Sequence, residues 1–232
     1  MKAMILAAGL GTRLRPWTNN KPKALVEYHG KTLLEYAIEK LKSYGFNQII
    51  INVHHFANQI IDFVKQHNYF DIEIVFSDET KELLDTGGGI QKASWYLKDS
   101  PKFLVYNVDI LSDIDLKKLY EDHPQQALAT LAVQKRPTSR TLLFTQAGKK
   151  LCGWKNHNTG AQRLIESLCT NYQEFAFSGI HILSGEIFKF LPSGKYSIIT
   201  AYLDIAEQGG FITYHDHTGD NWKDMGLKEN YL

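Results

Sequence analysis

Over its first 120 residues the chain alternates short aliphatic runs with stretches whose apolar residues recur at helical spacing. That alternation leaves few folds open. Residues 2–7 are a short apolar run, as a strand covered on both faces would be. Thr32 is placed to cap a helix whose Leu33, Leu34, Ala37, Ile38 and Leu41 fall on one face, with Gly45 to end it. A β-branched run follows at 48–53, helical spacing returns with Phe56, Ile60, Ile61 and Val64, and 72–76 is strand-like again. Residues 87–97 read as a glycine-led helix, 103–108 as a strand that delivers Asn107 and Asp109 to its end, and 116–120 as a short helix. Strand–helix–strand units in series predict an α/β fold, a parallel sheet with helices on both faces. From 126 onward the pattern changes to successive strands at 127–134, 141–145, 150–154 and 175–183, then a helix at 198–208 and a strand at 211–214. This half reads as a partly antiparallel extension of the same sheet. With no internal repeat or linker, 1–232 reads as one domain in two parts, 1–125 and 126–232.

The stretch after the first strand carries the strongest chemical signal. Leu6, Ala7, Ala8, Gly9, Leu10, Gly11 and Thr12 lead into Arg13 and Arg15, with Lys21 and Lys23 close behind, and no acidic residue precedes Glu27. Glycine lets main-chain N–H groups approach an anion, and the basic side chains add charge beside them. The net charge of the whole chain is only +1. The local bias therefore points to a polyphosphate rather than to nucleic acid, which a global basic field would suit. The P-loop pattern is excluded because no Gly-Lys-Ser/Thr ending exists, and the dinucleotide fingerprint because Leu14 stands where its third glycine belongs.

Gly9, Gly11, Thr12, Arg13, Leu14 and Pro16, followed by Pro22, Lys23 and Leu25, resemble the N-terminal signature of the sugar nucleotidyltransferases. The resemblance continues along the chain. Asp85-Thr86-Gly87-Gly88-Gly89-Ile90 is similar to that family's base- and ribose-contacting loop. Asn107-Val108-Asp109 resembles its metal-binding Asn-x-Asp, Phe177-Ser178-Gly179-Ile180 its sugar-pocket strand, and Trp222-Lys223-Asp224-Met225-Gly226 its C-terminal Trp-x-Asp-x-Gly. The resemblance implies a Rossmann-like, three-layer, mixed and mostly parallel sheet with a small sugar-binding extension. It also implies transfer of a nucleotidyl group from a nucleoside triphosphate to a sugar 1-phosphate, with pyrophosphate released. The short chain and the Thr-Gly-Gly-Gly-Ile loop look most like N-acetylmuramate 1-phosphate uridylyltransferases and their heptose- or mannose-1-phosphate guanylyltransferase relatives.

In such a reaction the attacking phosphate oxygen is already an anion. The protein must align two repelling anions and neutralise charge on the group in flight, rather than supply a strong base. The resemblance assigns Asp109 and Asp224 to a Mg²⁺ ion, and Arg13, Lys23 and Asp109 to catalysis. Nucleotide contacts are expected from Leu6, Ala7, Ala8, Gly9, Gly11, Thr12, Arg13, Lys23, Asp85, Thr86, Gly87 and Gly88. Sugar phosphate contacts are expected from Asn107, Lys155, Ser178 and Gly179. Lys155 departs from the family's Glu-Lys-Pro, standing in Trp154-Lys155-Asn156. Glu79, Thr80, Asp85 and Thr86 are expected to read the base, with UTP favoured.

The histidine clusters His54-His55 and His215-Asp216-His217 lack zinc-ligand spacing and read as polar strand ends. Tyr196, Tyr202, Tyr214 and Tyr231 read as core or interface residues rather than a sugar-stacking wall. Cys152 and Cys169 are the only cysteines and read as free thiols in a reducing compartment. The apolar start is broken at Gly9, and nothing approaches the roughly 20 apolar residues of a membrane span, so a cytoplasmic protein without a membrane partner is expected. Homo-oligomerisation is left open. The competing expectations are a phosphocholine cytidylyltransferase, which would share the N-terminal signature, and a non-catalytic nucleotide-sugar-sensing subunit, which the intact Arg13, Lys23, Asp109 and Asp224 disfavour.

Overall fold

The computed structural model describes residues 1–231. In chain order the elements are strand β1 (Lys2–Leu6), the short pair β2 (Glu27–Tyr28) and β3 (Lys31–Thr32), and helix α1 (Leu33–Ser43). Then come β4 (Gln48–Val53), α2 (Ala57–Gln66), β5 (Glu73–Asp78), α3 (Asp85–Lys92) and α4 (Ser94–Leu97). Next are β6 (Lys102–Asn107), β7 (Ile110–Ser112), α5 (Leu116–Glu121), β8 (Ala129–Gln134), β9 (Arg140–Thr145) and β10 (Leu151–Asn156). The chain continues through β11 (Gln162–Leu164), β12 (Tyr172–Ser184), α6 (Ile198–Glu207), β13 (Ile212–Asp216) and β14 (Trp222–Asp224).

A ten-stranded mixed sheet forms the middle layer, in the order β11-β10-β9-β12-β6-β1-β4-β5, with β8 joined to β12 and β13 to β8. The pairs β1–β4, β1–β6 and β4–β5 are parallel, as the strand–helix repeat requires. The central strands are apolar throughout because alternate residues feed two different cores. Ala3, Ile5, Ile49, Ile51, Leu104 and Tyr106 pack with α1, α2 and α5. Met4, Ile50, Phe103 and Val105 pack with Ile90 and Leu97 below α3 and α4 and with Tyr202 and Ile205 of α6. Helix α1 starts with the expected cap: Thr32 Oγ1 accepts from the Glu35 N–H and the Glu35 carboxylate accepts from the Thr32 N–H. Gly45, at φ 82°, ends it.

The second half is antiparallel around β12, thirteen residues long. Tyr172 to Phe175 pair with β9 and Ile180 to Ser184 with β6, while β8 pairs with Ala176 and Phe177 and again with His181 to Leu183, with a register shift between Phe177 and His181. That irregularity frees residues 178 and 179 from the ladder, as a bulge does. Among the described residues no helix is long and apolar enough to cross a membrane.

Two expectations change. The glycine-led helix of 87–97 is two helices, broken at Ala93. Cys152 and Cys169 are joined as a disulfide with their Cα atoms 5.2 Å apart, so the reading of two free thiols is corrected. Residues 165–169 fold back over β10, where the Ile165 N–H donates to Cys152 O, and this brings the sulfurs together. Two of the four tyrosines behave as expected: Tyr202 is fully buried and Tyr214 packs on Phe144 and Phe175.

Three histidines sit in this interior. His123 Nδ1 meets Thr130 Oγ1, His217 Nε2 meets Ser178 Oγ, and His181 Nδ1 meets Tyr202 Oη. Burial pushes their pKa values down from 6.5, to about 4 for His123 and His217 and about 3 for His181. Between pH 6.5 and 4 the unfolded chain therefore binds more protons than the folded one, and stability falls as pH falls. Each histidine contributes a slope of up to about 1.4 kcal/mol per pH unit. Urea midpoints measured at pH 7, 6 and 5 are expected to drop steadily, and a flat midpoint over that range would contradict the assignment.

Candidate active site

The site lies where the parallel strands end, the edge at which an open α/β sheet binds ligands. In register, Leu6 stands between Asn52 on one side and Asn107 on the other. The chain leaving β1 and the chain leaving β6 therefore emerge side by side. Asn52 is buried, and its Oδ1 accepts from the Ala7 N–H at 2.7 Å and the Ala8 N–H at 3.3 Å. Its Nδ2 donates to Glu79 Oε1 at 2.7 Å, and Glu79 Oε2 accepts from the Leu84 N–H. Glu79 is fully buried, and burial raises its carboxyl pKa. The base-reading role expected for Glu79 is thus corrected: it braces the loops from inside. Ala7 and Ala8 give their N–H groups to Asn52, so any amide recognition by this turn falls to the residues beyond them.

Two clefts open at this edge. The smaller, 330 Å³, is lined by Leu6, Ala7, Ala8, Gly9, Lys23, Asn52, Leu83, Asp85, Thr86, Asn107, Val108, Asp109 and Lys195. The larger, 710 Å³, is lined by Arg13, Asn107, Asp109, Ile110, Arg136, Pro137, Thr138, Ser139, Phe177, Ser178, Gly179, Trp222, Lys223, Asp224, Leu227 and Asn230. Asn107 and Asp109 belong to both, so the clefts meet at the strand-end motif.

Asp224 reaches that junction from the far end of the sequence. Strands β7 and β14 pair antiparallel with Asp224 opposite Ile110, and the Met225 N–H donates to Asp109 O at 2.7 Å. Burial first, and then the charge of Asp109, hold the Asp224 carboxyl above its ordinary range. Two cations answer the two acids: Lys23 Nζ is hydrogen-bonded to Asp109 Oδ2, and Arg13 Nη1 stands 3.6 Å from Asp224 Oδ2. A Cβ on Gly226 would lie 2.7 Å from Asp224 Oδ1 and 2.8 Å from both Arg13 Nη2 and Lys23 Nζ. Asp224, Arg13 and Lys23 therefore converge on one point, and only a residue without a side chain fits between them. Lys23 is brought there by an extended Pro22 and a single 3₁₀ turn, Lys23–Leu25.

Gly179 has φ 75°, and a Cβ there would come within 2.8 Å of Asn107 Nδ2. It both makes the bend in β12 and admits the Asn107 amide. Ser178 Oγ bonds His217 Nε2 at 2.7 Å, and Ser178 O accepts from Trp222 Nε1 at 2.9 Å.

Not every expected residue arrives. Gly11 and Thr12 line neither cleft; Gly11, at φ 64°, folds the turn against Lys23 and Thr18. Arg13 lines the larger cleft rather than the nucleotide-loop side. Gly87 and Gly88 are packing residues: a Cβ on Gly87 would meet the Tyr196 ring at 2.2 Å, and one on Gly88 the Gly194 carbonyl at 2.1 Å. Thr80 lines neither cleft. Lys155 also lines neither; its Nζ is held by Tyr172 Oη at 2.7 Å and Glu174 Oε1 at 3.0 Å, which corrects its placement beside the sugar phosphate. The sequence reading missed Asn52, Arg136 and Lys195. Asn52 left a trace, a polar residue inside the run Ile49-Ile50-Ile51-Asn52-Val53; the other two left none.

Among the described residues no group of three or more His, Cys, Asp or Glu is placed to hold a metal. Asp109 and Asp224 are the carboxylate pair at the junction. Two hard oxygen ligands that repel one another fit a divalent ion completed by phosphate oxygens and water.

The model of the nucleotidyl transferase family matches residues 2–232. The N-acetylmuramate alpha-1-phosphate uridylyltransferase of Caulobacter vibrioides is 31% identical over 89% of this chain and 85% of its own length. The enzyme of the same description from Neisseria meningitidis serogroup B is also 31% identical, over 97% of this chain and 93% of its own. Among solved structures, HddC from Yersinia pseudotuberculosis superposes with a TM-score of 0.77 at 27% identity, covering 99% of this chain and 96% of that one.

Proposed function

The chain belongs to the nucleotidyl transferase family, and we propose that its reaction is uridylyl transfer from UTP to N-acetylmuramate 1-phosphate, giving the UDP-sugar and pyrophosphate. The observation that carries this reading is the meeting of two clefts at Asn107 and Asp109, with Lys23, Arg13 and Asp224 gathered at the junction. The choice of acceptor and base follows the two relatives matched over 85% and 93% of their lengths.

The nucleotide takes the smaller cleft, with its base toward Leu83, Asp85 and Thr86 and its phosphates toward Gly9 and Lys23. The acceptor takes the larger cleft with its phosphate against Asn107. A phosphate oxygen of the acceptor forms the new bond to the α-phosphorus, and the bond to the β-phosphate oxygen breaks, its electron pair leaving with pyrophosphate. No side chain need take a proton. Lys23 leaves Asp109 for the α-phosphate and Arg13 leaves Asp224 for the departing pyrophosphate, so the incoming polyanion uncovers both carboxylates. Mg²⁺ held by Asp109 and Asp224 would supply charge neutralisation on the transferred group.

A pyrophosphate-release assay tests this, crossing the four common nucleoside triphosphates with the 1-phosphates of N-acetylmuramate, mannose, glucose and heptose, with and without Mg²⁺. The expected signal is confined to UTP with N-acetylmuramate 1-phosphate and requires the metal. A signal confined to GTP with mannose or heptose 1-phosphate would replace the reading with guanylyl transfer; HddC, solved with GMP-PN, gives that alternative its support.

A further inference from the structure

Of the cations around the clefts, Arg136 is placed differently from Lys23 and Arg13, which are matched to Asp109 and Asp224. Among the described residues no carboxylate lies within ion-pair distance of Arg136. Its guanidinium carbon lies 3.6 Å from the centroid of the Trp222 ring, and that ring is fixed by its own bond to Ser178 O. Its Nη2 donates to Phe177 O at 3.0 Å, while its Nε is buried with no partner among the described residues. The group is thus rigid and partly desolvated, and burial lowers its pKa. Only the charge of Asp224, beyond ion-pair distance, offsets that burial, and a desolvated cation without an ion-pair partner is costly unless a ligand brings one. One bond from Nη2 leaves N–H groups on both Nη nitrogens without a partner among the described residues, and a guanidinium held this way suits two oxygens of one planar anion. Thr138 and Ser139 line the same wall with hydroxyls that suit a sugar ring.

We propose that Arg136 is a specificity residue that takes a carboxylate carried on the acceptor sugar, a second anion distinct from the phosphate. The acceptor phosphate is placed against Asn107, where the two clefts meet, whereas Arg136 lines only the larger cleft. The inference rests on the acceptor reading above, since N-acetylmuramate carries such a group on its lactyl ether and N-acetylglucosamine, otherwise the same ring, does not.

The test compares kcat/KM in the full chain for two matched pairs: N-acetylmuramate against N-acetylglucosamine 1-phosphate, and glucuronate against glucose 1-phosphate. In Arg136→Met the ratio of acidic to neutral acceptor is expected to fall tenfold or more, chiefly through KM, with Arg136→Lys between it and the parent. Thermal unfolding of both variants checks that each folds. A ratio within twofold of the parent's, with both acceptors weakened alike, would make Arg136 a phosphate ligand and overturn the proposal. If N-acetylmuramate 1-phosphate is no substrate but glucuronate 1-phosphate is, the acceptor reading fails and Arg136 is judged on the second pair. Turnover of neutral acceptors alone overturns both.

Discussion

Replacing Asp109 with asparagine is expected to lower kcat by on the order of 10³-fold while leaving the protein folded. The side chains have the same size, and the backbone carbonyl of Asp109 still accepts from the Met225 N–H, so the link between β7 and β14 survives. What changes is charge. Lys23 loses the anion that holds it, the junction loses one of its two carboxylates, and Asp224, now without a like charge beside it, titrates nearer its ordinary range. Pyrophosphate release at saturating substrates, alongside a thermal unfolding curve, separates these effects. Parent-level turnover in a folded variant would remove Asp109 from the chemistry and with it the proposed metal site.

The second large effect falls on stability. Asn52→Ala deletes one side chain that satisfies the Ala7 and Ala8 N–H groups and bonds the Glu79 carboxylate, all in the interior. Three buried polar groups lose a partner together, and the expected cost is about 3 kcal/mol, read as a lower urea midpoint at constant slope. Because residues 7–9 form a wall of the smaller cleft, KM for the nucleotide is expected to rise as well, by tenfold or more. A midpoint equivalent to a loss below about 0.5 kcal/mol, the range of an ordinary surface substitution, would show that the network carries little.

The parts of this molecule that were legible in its sequence are those governed by neighbours along the chain. The continuous apolar runs at 2–7, 48–53 and 103–108 located the parallel strands, because each strand buries both faces. The Thr32 cap and the Gly45 stop are likewise decided within a turn of helix. The motif residues Lys23, Asn107, Asp109 and Asp224 were legible because the family resemblance placed them, and all four meet at one junction. What stayed hidden depends on contacts between distant segments. Gly87 and Gly88 look like a flexible ligand loop until Tyr196 and Gly194 are seen against them. Glu79, an acid in a polar stretch, gives no sign that Asn52 and the Leu84 amide will bury it. Lys155 had the right chemistry, but Glu174 and Tyr172 on β12 claim it. Arg136 became conspicuous only through what it lacks.

The β7–β14 ribbon stands apart from the ten-stranded sheet, as a separate pair whose register sets Asp224 opposite Ile110, the residue after Asp109. A slip of one residue along that ribbon would turn Asp224 to its opposite face. An insertion or deletion between β13 and β14 that shifted this register is therefore expected to spare the cores and silence the enzyme. The length of that connection is therefore expected to vary little among homologues, even though most of it lies at the surface, where length variation is ordinarily tolerated. Comparing natural length variation there with that in the loop between β9 and β10 would read selection on catalysis separately from selection on folding.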